Sequence, residues 1–275
     1  MGQGLWARRQ FVACGLLACG PLALAACAMP RPVQVPMRQV EHPAQAGQRS
    51  DTAVILLPGH GDKPEQFTKH GFVAALREAG VAADVIVADA HSGYYFKGIA
   101  AERLWGDIIA PAKLSGYSRI WLVGISMGGF GALWTAQMHP EAITGIVVMA
   151  PFAGRPRVLR PIAEVGVEKW QPTAEKGTWD YELWRWLKTA PQPDSTVPPI
   201  WLAYGDDDAG TGVELLRQIV PKERVFTRPG DHDWDVWAPL WRTMIPVIPW
   251  TGAATPAEAP TETTAEAPAE APATE

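Results

Sequence analysis

Short apolar runs alternate with helix-compatible segments along most of the chain. The apolar runs cover residues 53–57, 84–88, 119–123, 143–149, 200–204 and 225–227, and segments such as 66–79, 99–113 and 127–138 separate most of them. Continuous apolar runs of this length are typical of parallel strands that are buried on both faces. The pattern therefore predicts a single α/β domain over residues 52–250, with a mainly parallel central sheet and helices on both faces.

One connection in this pattern is much longer than the others. Residues of about 152–197 separate two strand-like runs and contain several tryptophans, Trp184 and Trp186 among them. We expect this insertion to form a helical cap over the carboxyl ends of the strands. Trp184 and Trp186 are two residues apart and therefore lie on different faces of a helix. The sequence leaves open whether both pack on the sheet or one of them faces a cleft.

A serine between two glycines follows the third apolar run, in the sequence Gly124-Ile-Ser126-Met-Gly128. This is the spacing of a nucleophile elbow, in which the serine occupies a strained turn between a strand and a helix, and glycines let the two elements pass closely. A glycine-rich turn between a strand and a helix that merely contains a serine would have the same sequence pattern. Because a strand precedes the motif and a helix follows it, we interpret Ser126 as a nucleophile.

An elbow serine requires a base and an acid later in the chain. Two histidines follow Ser126, and His139 precedes Pro140 at the predicted end of a helix, which leaves His232 as the candidate base. The candidate acid lies in the aspartate run that follows residues 200–204, because active-site residues of open α/β sheets lie at the carboxyl ends of strands. We favour Asp208, which lies far enough beyond the strand to turn back toward His232, and keep Asp206 as the alternative.

The loop after the first apolar run supplies a candidate oxyanion hole. Its sequence is Pro58-Gly-His60-Gly-Asp62. We expect the backbone amides of His60 and Met127 to converge on the oxygen of a reacting carbonyl. The His60 imidazole could instead line a pocket or bind a ligand. No further ligands recur at metal spacing, so the sequence predicts no metal site and no cofactor.

Two extended motifs resemble a known family. The run Ser126-Met-Gly-Gly-Phe-Gly-Ala-Leu133 and the pattern Gly230-x-His232-Asp-Trp234-x-x-Trp237 are similar to the esterase D, feruloyl-esterase and mycolyltransferase branch of the α/β-hydrolase superfamily. The resemblance spans residues 52–250, although many relatives carry His-Gly first in the oxyanion loop, where this chain has Pro58-Gly59.

That resemblance implies acyl chemistry on an ester carbonyl and leaves three functions open. We expect a serine hydrolase that cleaves small-molecule carboxylic esters through a Ser-His-Asp triad and an acyl-enzyme. The first alternative is an acyltransferase that uses the same triad. The second is a non-catalytic surface lipoprotein that keeps the fold as a binding module.

The first 26 residues have the pattern of an export signal. Arg8 and Arg9 precede an apolar stretch, and Leu24-Ala-Ala-Cys27 ends it with small residues and a cysteine. This ending resembles a bacterial lipobox and predicts that lipidated Cys27 anchors the protein to the membrane of the cell envelope. The arginine pair fits twin-arginine export or an ordinary export signal. Residues 27–51 are predicted to be a tether.

Cysteine content and charge agree with an exported domain. The three cysteines are Cys14, Cys19 and Cys27, so a chain cleaved before Cys27 keeps one of them and forms no internal disulfide. Residues 251–275 contain five glutamates and no basic residue, and their Pro/Ala/Glu composition predicts disorder. The formal charge of the whole chain is −5. Without the five glutamates of residues 251–275 and the two arginines of the signal, residues 27–250 carry −2, which gives no reason to expect nucleic-acid binding. The sequence does not indicate an oligomeric state.

Overall fold

The computed structural model of the protein describes residues 31–44, 50–173, 175, 177–208 and 210–250. Seven strands among these residues form one sheet in the order β1-β3-β2-β4-β5-β6-β7. The strands are β1 (Gln39–His42), β2 (Thr52–Leu57), β3 (Asp84–Ala88), β4 (Arg119–Ile125), β5 (Gly145–Met149), β6 (Ile200–Gly205) and β7 (Val225–Arg228). Every neighbouring pair is parallel except β1 with β3. The predicted α/β fold with a mainly parallel sheet is confirmed.

Helices connect the parallel strands. They are α1 (Glu65–Lys69), α2 (Phe72–Glu78), α3 (Ser92–Phe96), α4 (Ala100–Leu104), α5 (Ala110–Leu114), α6 (Met127–Met138), α7 (Pro156–Val165), α8 (Trp179–Leu187), α9 (Thr211–Leu216) and α10 (Trp234–Met244). Helix α6 packs against β2, β4 and β5, whereas α10 packs against β6 and β7. All six residues of β2 are buried, as expected of a central strand that is covered on both faces.

The strand order reverses direction beside β2. The chain passes outward from β2 to β3 and then returns across β2 to β4, from which it continues to β7. The loops that leave β2 and β4 therefore diverge, and a crevice forms between the carboxyl ends of these two strands. The loop with His60 follows β2 and Ser126 follows β4, so both residues border this crevice.

Two predicted helices are interrupted in the structure. The segment predicted as one helix over 66–79 is split into α1 and α2 by Gly71, whose φ of 75° is left-handed and cannot continue a helix. The segment predicted over 99–113 runs from Ala100 to Leu114 but widens into a π-helical turn at Trp105–Ile109. This turn lies just before Pro111, which lacks a backbone N–H and whose ring would crowd the preceding turn of a regular α-helix.

The predicted tether over 27–51 is wrong for the part that the structure describes. Residues 39–42 form β1, which pairs antiparallel with β3, and the residues before it are hydrogen-bonded to the domain. The apolar pattern does not predict the strand Gln39-Val-Glu-His42, because an edge strand faces solvent on one side and its residues alternate between polar and apolar.

Three predicted features lie outside the described residues. They are the export signal over 1–26, the lipobox cysteine Cys27 and the Pro/Ala/Glu-rich tail over 251–275. Within the part of the chain that the structure describes, no helix is both long enough and apolar enough to cross a membrane.

Candidate active site

Ser126 occupies a strained position at the junction of β4 and α6. Its φ is 52° and its ψ is −114°, a conformation that is costly for a residue with a side chain. Three backbone hydrogen bonds hold it there: the Ser126 N–H donates to the carbonyl of Met149 at 2.9 Å, and the Ser126 carbonyl accepts from the N–H groups of Phe152 at 2.9 Å and Phe130 at 3.3 Å. A strained strand-to-helix turn of this kind exposes the serine oxygen at the top of the sheet.

The glycines on either side of Ser126 are required by close backbone contacts. A Cβ atom on Gly124 would overlap the carbonyl of Gly128. A Cβ atom on Gly128 would overlap the carbonyl of Leu57 and lie 2.7 Å from the carbonyl oxygen of Pro58. These glycines therefore let the start of α6 pack directly against β4 and the end of β2, which brings the serine beside the loop that follows β2.

His232 contacts an aspartate from a different strand. Its loop lies between β7 and α10, and its Nδ1 atom lies 2.6 Å from Oδ2 of Asp208, in the turn after β6. Because a carboxylate only accepts hydrogen bonds, Nδ1 carries the proton and the Nε2 lone pair is free when the ring is neutral. The ring also packs edge-on against the buried indole of Trp237, with centroids 4.8 Å apart. Asp206, the alternative acid, is exposed and makes no hydrogen bond to His232 among the described residues.

Ser126 and His232 line one small cavity. Its volume is about 300 Å³, and its lining residues are Gly59, His60, Asp62, Ser126, His232, Asp233, Trp234 and Trp237. No direct hydrogen bond joins the Ser126 and His232 side chains among the described residues. Such bonds often tighten only when substrate is bound. The cavity therefore places a hydroxyl and a histidine around a volume that suits a small acyl group.

Two backbone amides near Ser126 in the chain or in the loop beside it lack backbone hydrogen-bond partners within the described part of the chain. Met127 begins α6, where the N–H points out of the helix end. His60 lies in the loop after β2, and its neighbour Gly59 approaches the serine so closely that a Cβ atom there would lie 3.6 Å from the Cβ of Ser126. The His60 imidazole is exposed and faces the ring of Phe96 edge-on at 6.4 Å.

Asp62, a residue that no sequence pattern indicates, also lines the cavity. Burial raises the pKa of Asp62 above its ordinary value. A hydrogen bond from Trp234 and the positive charges of protonated His70 and His232 act in the opposite direction and lower this pKa by less. Its loop position alone carries no signal of this role, because the proximity to His232 arises only when the loops after β2 and β7 meet.

The insertion over 152–197 contributes no residue to the cavity of Ser126 and His232. Trp184 is fully buried and its Nε1–H donates to the carbonyl of Ala153 at 2.7 Å. Trp186 is partly buried and its Nε1–H donates to Oγ1 of Thr196 at 3.1 Å. Of the two interpretations left open by the sequence, the structure shows the packing role for both indoles.

His139 and the three tryptophans of α10 (Trp234, Trp237 and Trp241) pack against neighbouring rings. His139 ends α6 and stacks on Trp105 with centroids 3.7 Å apart, remote from the cavity lining. Trp241 is buried in α10. Trp234 and Trp237 also form a wall of the cavity, so their role extends beyond packing.

The chain also matches a family of known proteins. Residues 109–247, just over half of the chain, match the model of the family described as "Putative esterase". The chain belongs to this esterase family. The esterase is accordingly a carboxylic ester hydrolase, as the resemblance implied. No curated protein sequence matches it.

Solved structures show the same fold. The esterase superposes on Est1E from Butyrivibrio proteoclasticus with a TM-score of 0.51 and 18% identity, over 76% of this chain and 91% of that chain. It superposes on the S-formylglutathione hydrolase from Staphylococcus aureus with a TM-score of 0.50 and 16% identity, over 79% of this chain and 98% of that chain. At this identity the likeness concerns the fold alone. The esterase therefore has the predicted α/β-hydrolase fold.

Proposed function

We propose that the esterase uses a serine mechanism with an acyl-enzyme intermediate. In this proposal Ser126 is the nucleophile, His232 is the general base, and Asp208 orients the imidazole of His232. The backbone amides of His60 and Met127 stabilise the oxyanion. The substrate is a small carboxylic ester, and no metal or cofactor takes part.

One observation supports the proposal most directly. His232, hydrogen-bonded through Nδ1 to Asp208 at 2.6 Å, lines the same cavity as Ser126. The hydrogen bond selects the tautomer in which Nε2 can accept the serine proton. The strained backbone of Ser126 is a second support, because such strain persists where the surrounding structure enforces it, commonly at active sites.

Each half of the reaction conserves its protons. The Ser126 Oγ atom bonds to the ester carbonyl carbon while its proton passes to His232 Nε2, and that proton then leaves with the alkoxide as the alcohol. Water then gives a proton to the same Nε2 atom and attacks the acyl-enzyme. The carbon–Oγ bond breaks, and Ser126 recovers its proton from His232.

The exposure of His232 favours hydrolysis over acyl transfer. Its side chain is 40% exposed, so water reaches the general base in this structure. An acyltransferase must keep water from the acyl-enzyme so that another alcohol can attack it. The insertion that could exclude water lines no part of the cavity.

The proposal is tested by the hydrolysis of a soluble p-nitrophenyl ester. Ser126→Ala should lower kcat by about 10⁴-fold or more, because triad members act as a unit. Ser115→Ala, an exposed serine at the end of α5, is the matched control and should retain wild-type kcat. If Ser126→Ala retains more than about a tenth of the wild-type activity, the nucleophile is misassigned, because the loss of a triad nucleophile costs far more.

We also propose that the protein is exported and lipid-anchored through Cys27 in the bacterial cell envelope. The support is the sequence Leu24-Ala-Ala-Cys27 after an apolar stretch that begins with two arginines. Metabolic labelling with an alkyne fatty acid should mark the wild-type protein and fail to mark Cys27→Ser. Equal labelling of both proteins would contradict the assignment of the anchor to Cys27.

A further inference from the structure

Residues 31–38, the first that the structure describes, are hydrogen-bonded to the domain. We call this segment the strap. The Arg31 guanidinium forms two hydrogen bonds with the Asp89 carboxylate, at 2.8 and 3.1 Å. Further along, the hydroxyl of Tyr94 donates to the Gln34 carbonyl at 2.7 Å and accepts from the Gln34 N–H at 3.0 Å. The chain is therefore fixed to the domain from Arg31 onward.

The strap enters the domain at the edge of the sheet that carries the active site. Strand β1 is antiparallel to β3, with Gln39 opposite Ala88 and His42 opposite Val85. The residues before β1 consequently lie beyond the carboxyl end of β3. Strand β3 is two positions from β4 in the sheet, a lateral distance of roughly 10 Å. Ser126 follows the same end of β4.

Cys27 precedes the fastened Arg31 by only four residues. A fully extended chain of that length spans at most about 14 Å. A domain of some 200 residues has a radius of gyration of roughly 16 Å. If Cys27 carries the lipid, the carboxyl edge of the sheet must stay close to the membrane surface, because the link is too short to let the domain turn that edge away.

The surface that runs from the strap toward the cavity has the composition of a membrane-contacting surface. We call it the basic–aromatic rim (Arg31, Val35, Lys63, Phe96 and Lys97). Val35 is 64% exposed and Phe96 is 66% exposed. Lys63 and Lys97 are exposed and form no ion pair among the described residues. Exposed aromatic and basic side chains favour the interface of an anionic bilayer.

The rim is continuous with the active site on one side and with the strap on the other. The Phe96 ring faces the His60 ring, and His60 lines the cavity of Ser126. Lys63 and Arg31 line a second cavity, of about 680 Å³, beside the strap. The rim thus extends from the point of chain entry to the mouth of the catalytic cavity.

The opposite side of the mouth is acidic. Exposed aspartates cluster there, on the turns after β6 and β7 and at the start of α10: Asp206, Asp207, Asp231, Asp233 and Asp235. Anionic lipid headgroups repel these carboxylates and attract the lysines of the rim. The charge distribution therefore selects one tilt of the domain, with the rim toward the lipid.

We propose that the basic–aromatic rim rests on the bilayer, so that the cavity of Ser126 opens at the membrane surface and takes amphiphilic esters that partition into the bilayer. The orientation rests on the proposed anchor at Cys27, and the substrate class rests on the proposed serine esterase mechanism. The two parts are tested by separate measurements, one of which requires no catalysis.

The orientation is tested with the full chain, acylated and reconstituted in vesicles of phosphatidylethanolamine and phosphatidylglycerol. A bimane label is attached to Lys97→Cys, or to Lys113→Cys near the amino end of β4 as the matched control. Lipids that carry a nitroxide near the headgroup should quench the label at residue 97 and leave the label at residue 113 bright. Equal quenching at both positions would overturn the orientation. The mass of the mature protein reports whether Cys27 carries the lipid, and its absence would also overturn the proposal.

The substrate class is tested with two matched pairs of substitutions. The first pair, Phe96→Ser with Lys97→Glu, disrupts the rim. The control pair, Leu114→Ser with Lys113→Glu, also replaces one apolar and one basic side chain, but at the other end of the sheet. Leu114 is 90% exposed. The rim pair should lower hydrolysis of a long-chain umbelliferyl ester dissolved in the vesicles by about tenfold, because both an aromatic contact and a charge attraction are lost. Hydrolysis of soluble umbelliferyl acetate should remain at the wild-type rate in both pairs.

The outcomes separate the two proposals. Equal effects of the two pairs on the vesicle-bound ester would overturn the membrane-facing rim while leaving the esterase mechanism intact. A wild-type chain that hydrolyses neither ester would overturn the proposed function, and the bimane measurement would still decide the orientation.

Discussion

The Nδ1 atom of His232 lies 2.6 Å from the Oδ2 atom of Asp208, although the two residues belong to loops after different strands. The contact forms because β6 and β7 are parallel neighbours, so that both loops emerge at the same edge of the sheet. The same edge carries the turn with Ser126 and the loop with His60. Loops from four strands thus emerge at one edge of the sheet.

The two candidate acids should differ sharply in mutant kinetics. Asp208→Asn should lower kcat for a soluble ester by about 10³–10⁴-fold, because an amide in place of the carboxylate no longer holds His232 in the useful tautomer. Asp206→Asn should change kcat less than about twofold, because its side chain is exposed and makes no hydrogen bond to His232 among the described residues. A comparable loss in both variants would contradict the pairing of Asp208 with His232.

Gly128, the first glycine after Ser126, should be essential for stability. Gly128→Ala should lower the free energy of unfolding by about 3 kcal/mol, because its Cβ would overlap the carbonyl of Leu57. Gly106→Ala is the control: it lies in a helical segment with no atom within 4 Å of an added Cβ, so it should raise stability by about 0.5–1 kcal/mol. Urea unfolding followed by tryptophan fluorescence measures both. A neutral Gly128→Ala would show that the elbow does not pack as described.

Asp62 should destabilise the folded protein as the pH rises. Burial raises its pKa in the folded state, so the folded protein binds the proton more tightly than the unfolded chain does. Stability is therefore lost when the pH rises from the unfolded-state pKa through the folded-state pKa. Asp62→Asn should consequently raise the free energy of unfolding at neutral pH and leave it unchanged at low pH, where the wild-type carboxyl is protonated. Asp194→Asn, in an exposed loop, is the control.

A buried ion pair should stabilise the insertion over 152–197 by joining its first residues to α8. Asp180 is fully buried, and its hydrogen bonds with Arg155 and Thr178 lower its pKa to about 2 against the opposing effect of burial. Stability from this group is present above the unfolded-state pKa and lost as the pH falls through the folded-state pKa. Asp180→Asn should lower the free energy of unfolding by about 1–2 kcal/mol at pH 7, a discounted figure because the Arg155 guanidinium is partly exposed.

That difference between the wild type and Asp180→Asn should narrow between about pH 4 and about pH 2, where the wild-type carboxyl is protonated. Urea unfolding at a series of pH values measures it. A difference that stays constant down to pH 2 would indicate that lost packing, and not the charge of Asp180, causes the destabilisation.

The central sheet could be predicted from the sequence because its strands are buried on both faces. Strands β2 and β4 are continuous apolar runs, and the observed bounds extend the predicted ones by one or two residues. Strand β1 could not be found in this way, since Gln39 and Glu41 interrupt its apolar positions at an edge of the sheet. The sequence predicts a tether in place of the strap because hydrogen bonds such as that between Gln34 and Tyr94 leave no periodic signal.

The residues of the candidate site likewise differ in whether the local sequence indicates them. Ser126 carries a local signal because the elbow needs glycines at fixed spacing, and His232 and Asp208 follow from their order after it and from strand ends. Asp62 has no comparable local pattern. Its proximity to His232 depends on the meeting of loops that are distant in sequence, which only the folded chain reveals.

The most direct measurement of the serine mechanism is the reaction of the chain beginning at residue 28 with a fluorophosphonate, followed by intact mass and peptide mapping. We predict one adduct, on Ser126, that is lost in His232→Ala because the hydroxyl then has no base. No adduct on the folded protein, or an adduct that His232→Ala leaves unchanged, would contradict the mechanism.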